Sequence, residues 1–235
     1  PSFSGDALPS TTVGSIVSIA DKLDTIMGCI GVGLLPSGSE DPYGLRRHSL
    51  GIIQIMTNQN WQVSLNELIQ KGIILLADKI KLTSDDIHRH TQALFSQRYK
   101  TVLIAEEYPY DAIDAVLSAN IDSLVDVRQK VVALSDLKKQ PYFEPLATTF
   151  RRVVSILNDE SDGDIQTSLL NEQAEKKLYD EYKRVKEPIE NYLNQKQFSQ
   201  ALEKIVEIKE TVDEFFEHIM VMTKEDELRK NRLRL

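Results

Sequence analysis

The chain has 235 residues, 41% hydrophobic and 27% charged, with a mean hydropathy of −0.28, the profile of a soluble globular protein with enough apolar side chains for a real core. Its 28 Lys and Arg stand against 36 Asp and Glu, a net charge of −8, which excludes a uniformly basic nucleic-acid binder but not a local basic face. The single cysteine, Cys29, excludes an internal disulfide and a multi-cysteine metal site, and fits a reducing, cytoplasmic setting. No apolar run approaches the roughly 20 residues needed to span a bilayer, and nothing at the N-terminus reads as a signal peptide. The sequence starts at Pro1 without Met and stops at Leu235 in mid-pattern, which reads as a fragment of a longer protein.

Ten Gly and eight Pro punctuate the whole chain, and apolar residues recur at spacings of three and four, so the predicted fold class is all-α. The first helix opens at Thr11 or Thr12. Val13, Ile16, Val17, Ala20, Leu23, Ile26, Met27 and Ile30 give it a stripe wide enough for burial among other helices. A loop follows through Gly31, Gly33, Pro36 and Gly38. Asp41 then caps a helix over 42–58 that starts at Pro42, since Asp satisfies free N–H groups and Pro suits the first turn. Ser64 with Glu67 forms a capping box for a helix over 65–81, and Thr83 or Ser84 opens a long helix to about 107. Pro109 and Asp111 start the next. Further helices are predicted over 122–138, 142–158, 168–196 with a kink or break at Pro188, 198–220 and 223–235. The acidic, turn-rich stretch Asn158 to Asp164 reads as a linker.

A domain boundary is predicted between Leu82 and Thr83, where the charge divides unevenly, with a net −1 before it and −7 after. Basic residues gather at Arg128/Lys130, Lys138/Lys139, Arg151/Arg152 and Arg229 to Arg234, enough for a phosphate backbone on one face.

No catalytic constellation emerges. The glycine-bearing loop lacks a preceding strand and a following Gly-Lys-Ser/Thr, so it is not a phosphate loop. Arg46 and Arg47, in the first turns of a helix, either add to an anion site at its positive end or form a solvated pair. His88 and His90 are two apart on a helix and face different ways, so they cannot chelate one metal. Cys29 sits in an apolar context and reads as an inert core thiol. Asp21 and Asp24, three apart on an apolar helix, are costly to bury unpartnered. Either Lys22 and the following arginines satisfy them, or they face a polar pocket.

Two long runs now carry a resemblance. ADKLDTIMGCIGVG over 20–33 with PSGSEDPYGLRR over 36–47, and FFEHIMVMTKEDELRKNRL over 215–233, resemble the beta subunit of bacterial heterotetrameric glycyl-tRNA synthetase. DAIDAVL over 111–117 and RRVVSIL over 151–157 fit between them in order. The resemblance implies the end of an HD-like helical domain over 1–82, followed over 83–235 by an anticodon-binding helical bundle of the arginyl-tRNA synthetase type, truncated at its C-terminus. It implies tRNA-Gly and the alpha subunit as partners, in a parent complex of two alpha and two beta subunits, without a membrane. The alpha subunit would hold ATP and Mg and attach glycine to the tRNA. This fragment is expected to be non-catalytic, to hold no cofactor or metal, and to support that ligase by recognising the anticodon.

In HD-type domains a final Asp closes a metal set, and Asp21 or Asp24 falls where it would sit. The upstream histidines are absent here, so both are read as HD-like remnants in structural or tRNA-contacting roles. Unstacked anticodon bases are read by hydrogen bonds and by stacking on aromatic or guanidinium planes, while Lys and Arg set register on phosphates. Candidates for tRNA contact are Arg46, Arg47, Arg151, Arg152, Arg229, Lys230, Asn231 and Arg232, with Arg98 and Tyr99 as a stacking set one turn beyond Phe95. The plainer alternatives are a core Phe95, and a terminal Arg-Lys-Asn-Arg run that holds the last helix on the bundle. Leu228, Leu233 and Met222 read as packing residues. The family's usual Asn is replaced by Ser155, which removes any hydrogen bond that amide makes. A helical module docking the alpha subunit or another beta subunit is the competing reading, and an HD-type metal phosphohydrolase the weakest.

Overall fold

A computed structural model describes residues 7–37, 40–119, 121–157 and 162–235. Within them lie eleven α-helices and no strand: α1 (Thr12–Gly31), α2 (Leu45–Asn58), α3 (Leu65–Leu75), α4 (Ser84–Ala105), α5 (Tyr110–Ala119), α6 (Leu124–Lys138), α7 (Phe143–Ile156), α8 (Gln173–Asn194), α9 (Phe198–Glu207), α10 (Lys209–His218) and α11 (Asp226–Arg234). None is long and apolar enough to cross a membrane.

The chain forms two compact units, 1–132 and 133–235, and the division falls within α6. The boundary expected between Leu82 and Thr83 therefore lies inside the first unit. Packing explains the difference. Ile87, Leu94, Phe95, Tyr99 and Leu103 line one side of α4 and are buried, and α4 packs on α1, α2 and α3 while α5 packs on α4. The charge imbalance used to place the boundary is a property of the surface and says little about what the apolar face of α4 lies against.

Local signals in the first unit work largely as their chemistry demands. The Thr11 hydroxyl accepts from Gly14 N at 3.0 Å, and Thr83 accepts from Asp86 N at 3.1 Å. Asp41 accepts from Leu45 N and Arg46 N at 2.8 and 2.9 Å, but α2 starts three residues later than expected because Gly44 adopts a left-handed φ of 66°. Ser64 accepts from Glu67 N and donates to Asp122 at 2.7 Å, and that same carboxylate oxygen accepts from Asn66 N. A residue 58 positions away thus completes the cap of α3. That helix ends at Leu75 rather than near 81. The chain then turns back, and Lys81 N and Leu82 N donate to Gly31 O. Gly31 is needed there: a Cβ would lie 2.4 Å from the Ile80 side chain.

In the second unit α8 packs on α9 and α10, and α10 on α7. Ala174, Leu178, Val212, Phe215, Ile219, Val221 and Leu233 form its core. The helix expected over 198–220 is broken at Ile208 into α9 and α10. α8 runs unbroken through Pro188, and the residues before it hold only a 3-10 turn at Thr167–Leu169. Gly38 and the first half of the expected acidic linker, 158–161, lie outside the described residues.

Candidate nucleic-acid interface

In the first unit Asp21 and Asp24 are exposed, so their charges are not buried. On α1 the charged residue that is buried is Lys22, whose Nζ donates to the Ser18 hydroxyl at 2.8 Å. Asp24 stands at the rim of an apolar groove of about 750 Å³ lined by Ile16, Leu23, Trp61, Leu68 and Leu75. Val13, Ile16 and Val17 remain 72%, 55% and 61% exposed, so the α1 stripe is covered only over its second half.

Arg46 and Arg47 do not frame an anion site. The free N–H groups at the start of α2 are already taken by the Asp41 carboxylate, and Arg46 Nη1 donates to Glu40 O at 3.3 Å. Beside them His48 is held below its usual value by burial and by Lys22. Tyr99 and Phe95 have no exposed surface. The Tyr99 hydroxyl donates to Leu124 O at 2.7 Å, and burial raises its pKa. An aromatic ring enclosed this way cannot stack on a base, so the expected Arg98–Tyr99 set is a core feature with Arg98 half-buried beside it.

The second unit sorts its candidates differently. Asn231 is 1% exposed; its amide accepts from Gln166 N at 2.7 Å and donates to Gln166 O at 3.1 Å, a two-bond clasp on backbone. Arg232 Nε donates to Glu175 at 2.6 Å, with the two side chains 10% and 0% exposed, and its Nη1 donates to Met220 O at 3.1 Å. The other Glu175 oxygen accepts from Asn171 N and Glu172 N at the start of α8. Both residues hold α11 to the bundle, which is the plainer of the two readings of the terminal run. Arg229 and Lys230 both pair with Asp226, whose carboxyl is held below its usual value by those hydrogen bonds, Lys230 first. Arg151 is exposed, with Nε donating to Ala147 O at 3.2 Å.

Arg152 is the candidate that sits in a formed site. Its guanidinium lies over the Phe216 ring, 4.2 Å from the centroid, and donates to Phe216 O at 3.4 Å. Phe216 in turn meets Phe215 edge-on, with centroids 5.7 Å apart. The chain leaves α10 in an extended conformation at Ile219, and from there side chains alternate across it. Ile219 and Val221 are 7% and 6% exposed, and Met220 and Met222 are 75% and 56% exposed. Met222 is therefore not a packing residue. These groups line a cleft of about 540 Å³ together with Ile156, Glu217 and His218. Sequence reasoning missed Phe216, Met220 and Met222. No periodicity signal was present: IMVM over 219–222 is a continuous apolar run, which does not show which of its side chains face outward.

A family model for the glycyl-tRNA synthetase beta subunit matches residues 1–118, and one for the DALR anticodon binding domain matches residues 146–235. The chain belongs to the glycyl-tRNA synthetase beta subunit family. It is similar to the glycine–tRNA ligase beta subunit of Geobacter metallireducens, 39% identical over 235 residues, all of this chain and 34% of that protein. The Syntrophus aciditrophicus subunit is 36% identical over the same shares, and that of Geobacter sulfurreducens 40% over 222 residues, 94% of this chain and 32% of that protein. The chain spans about a third of the length of these curated relatives. The cleft between α7 and the 219–222 segment lies wholly within the anticodon-binding match.

Proposed function

We propose that this chain is the tRNA-binding part of a glycyl-tRNA synthetase beta subunit, with its second unit recognising the anticodon of tRNA-Gly. The alpha subunit would carry out the ATP-dependent attachment of glycine, in a cytoplasmic complex of two alpha and two beta subunits. The observation that carries the reading is the Arg152–Phe216 cleft within the stretch matched by the anticodon-binding model. It supplies the guanidinium and apolar surfaces by which proteins hold unstacked bases, on a chain whose net charge of −8 leaves little for nonspecific phosphate attraction. An anisotropy titration with tRNA-Gly and anticodon-substituted controls tests it. Preference for the glycine anticodon, with log affinity falling by roughly 0.7 per contact per decade of salt, is expected. Equal affinity for all the tRNAs at moderate salt overturns the anticodon role.

A second reading, docking of the alpha subunit, is favoured by the apolar groove of the first unit and the exposed Ile16, Val17 and Leu75 around it. Retention of the alpha subunit by this chain on co-purification supports it, and retention only by beta segments outside this chain contradicts it.

A further inference from the structure

We propose that the apolar groove of the first unit seats an amphipathic helix from the part of the beta-subunit polypeptide that precedes α1, so that the groove is closed within one chain and not by the alpha subunit. This rests on the family assignment and is independent of the anticodon reading. The groove has two helical walls. Ile16 and Leu23 on α1, and Leu68 and Leu75 on α3, line it, and each pair is seven residues apart, two turns, on one face of its helix. Trp61, from the connection between α2 and α3, lines it as well. The walls are fixed against each other at Met27 and Gly72, where a Cβ on the glycine would come within 2.8 Å of the Met27 Cγ. A trough of about 750 Å³ between two helices fits a third, whose side chains at i, i+3, i+4 and i+7 drop between the ridges. The α1 stripe from Val13 to Leu23 is about 15 Å long at 1.5 Å per residue, which sets the occupant at about three turns.

The chain spans about a third of the length of its curated relatives, so about two-thirds of such a subunit lies outside it. Thr12, the first residue of α1, lines the groove. A preceding helix therefore reaches it over a short link, at an effective concentration that a separate protein does not match. A second copy of the chain fits poorly, because two concave faces brought together about a twofold axis leave a void between them. The charged residues in the lining are Asp24 on α1 and Lys71 on α3, one of each sign, so nothing there steers a charged partner. Val13, Val17 and Leu75 stand 72%, 61% and 78% exposed beside it. Apolar surface left open on a subunit awaiting a partner invites aggregation, whereas a groove closed by its own chain never meets solvent.

The test uses the whole beta subunit, purified with and without the alpha subunit. A photo-crosslinking amino acid replaces Leu75, and the crosslinked peptides are identified by mass spectrometry. The expected result is a crosslink to a peptide of the same polypeptide that precedes α1, in a yield unchanged by dilution and by the alpha subunit. Crosslinks to the alpha subunit, crosslinks between two beta chains whose yield falls on dilution, or crosslinks confined to this chain's own residues each overturn the proposal. None of these outcomes bears on anticodon recognition. Leu75→Asp gives a second readout by amide exchange. In this chain alone, where Leu75 is exposed, it should leave exchange in α1 and α3 unchanged. In the whole subunit it should speed exchange there about tenfold, the size of one buried leucine side chain. Equal exchange of variant and wild type in the whole subunit overturns the closed groove.

Discussion

In the first unit the side chains that vanish from solvent are mostly hydrocarbon: Ile26, Ile52, Ile53, Leu65, Ile69, Ile87 and Phe95 are all at 0%, joined by the uncharged hydroxyls of Ser15, Ser49, Thr91 and Tyr99. In the second unit no described apolar side chain is below the 2% of Ala201, whereas Glu175 is at 0% and Asn231 at 1%. The first unit coheres by burying apolar area, about 25 cal/mol per Å². The second places charge-assisted hydrogen bonds at the centre of its bundle, where dehydrated partners depend on one another.

The largest effect that separates the two regimes should come from Arg232→Met. It strands the Glu175 carboxylate in a dry site, a cost of about 3–5 kcal/mol, and should abolish amide-exchange protection in α8, α10 and α11 while leaving α1 to α5 unchanged. A loss of only about 0.5 kcal/mol, the size of an exposed pair, would break the contrast. Ile53→Ala is its mirror image. Removing three carbons at a fully buried site should cost about 2–5 kcal/mol, seen as earlier denaturant unfolding of the first unit alone. Asn231→Ala should cost about 1–3 kcal/mol by leaving the Gln166 N–H unpaired, while Gln166 O keeps its bond from Leu169 N, again in the second unit only.

The smallest effect is one of pH. Burial alone would raise the Asp213 carboxyl, but hydrogen bonds from Lys209 and Thr149 outweigh it and hold its pKa below the ordinary 3.8. A carboxyl lowered in the folded state stabilises above its unfolded pKa, and the contribution is lost as pH falls through the folded value. The second unit should therefore weaken below about pH 4, and Asp213→Asn should flatten that part of its stability profile by removing the titrating carboxylate while leaving an oxygen to accept from Thr149. An unchanged profile would show that the tie is solvated.

The sequence was most legible where chemistry acts over a few residues. Thr11, Ser64 and Thr83 cap the helices that their hydroxyls predict, and Asp41 supplies its cap even though Gly44 delays the helix. Longer-range partners were not legible. Nothing near Ser64 announces that Asp122 completes its cap, and nothing near Arg232 announces Glu175, 57 residues away. For that reason Asn231 and Arg232 resembled RNA contacts while serving as scaffold. The same blindness hid the exposed methionines: apolar residues are read inward, whereas after α10 ends at the extended Ile219 the chain leaves Met220 and Met222 exposed.

Under the proposed function the second unit meets RNA through its apolar cleft and not through its basic last helix. A photo-crosslinking amino acid placed at Met220, compared with one at Lys230, tests this on the full chain with an anticodon stem–loop. Crosslinks from position 220 to a loop nucleotide, with few from position 230, are predicted; crosslinks from 230 and none from 220 would contradict it.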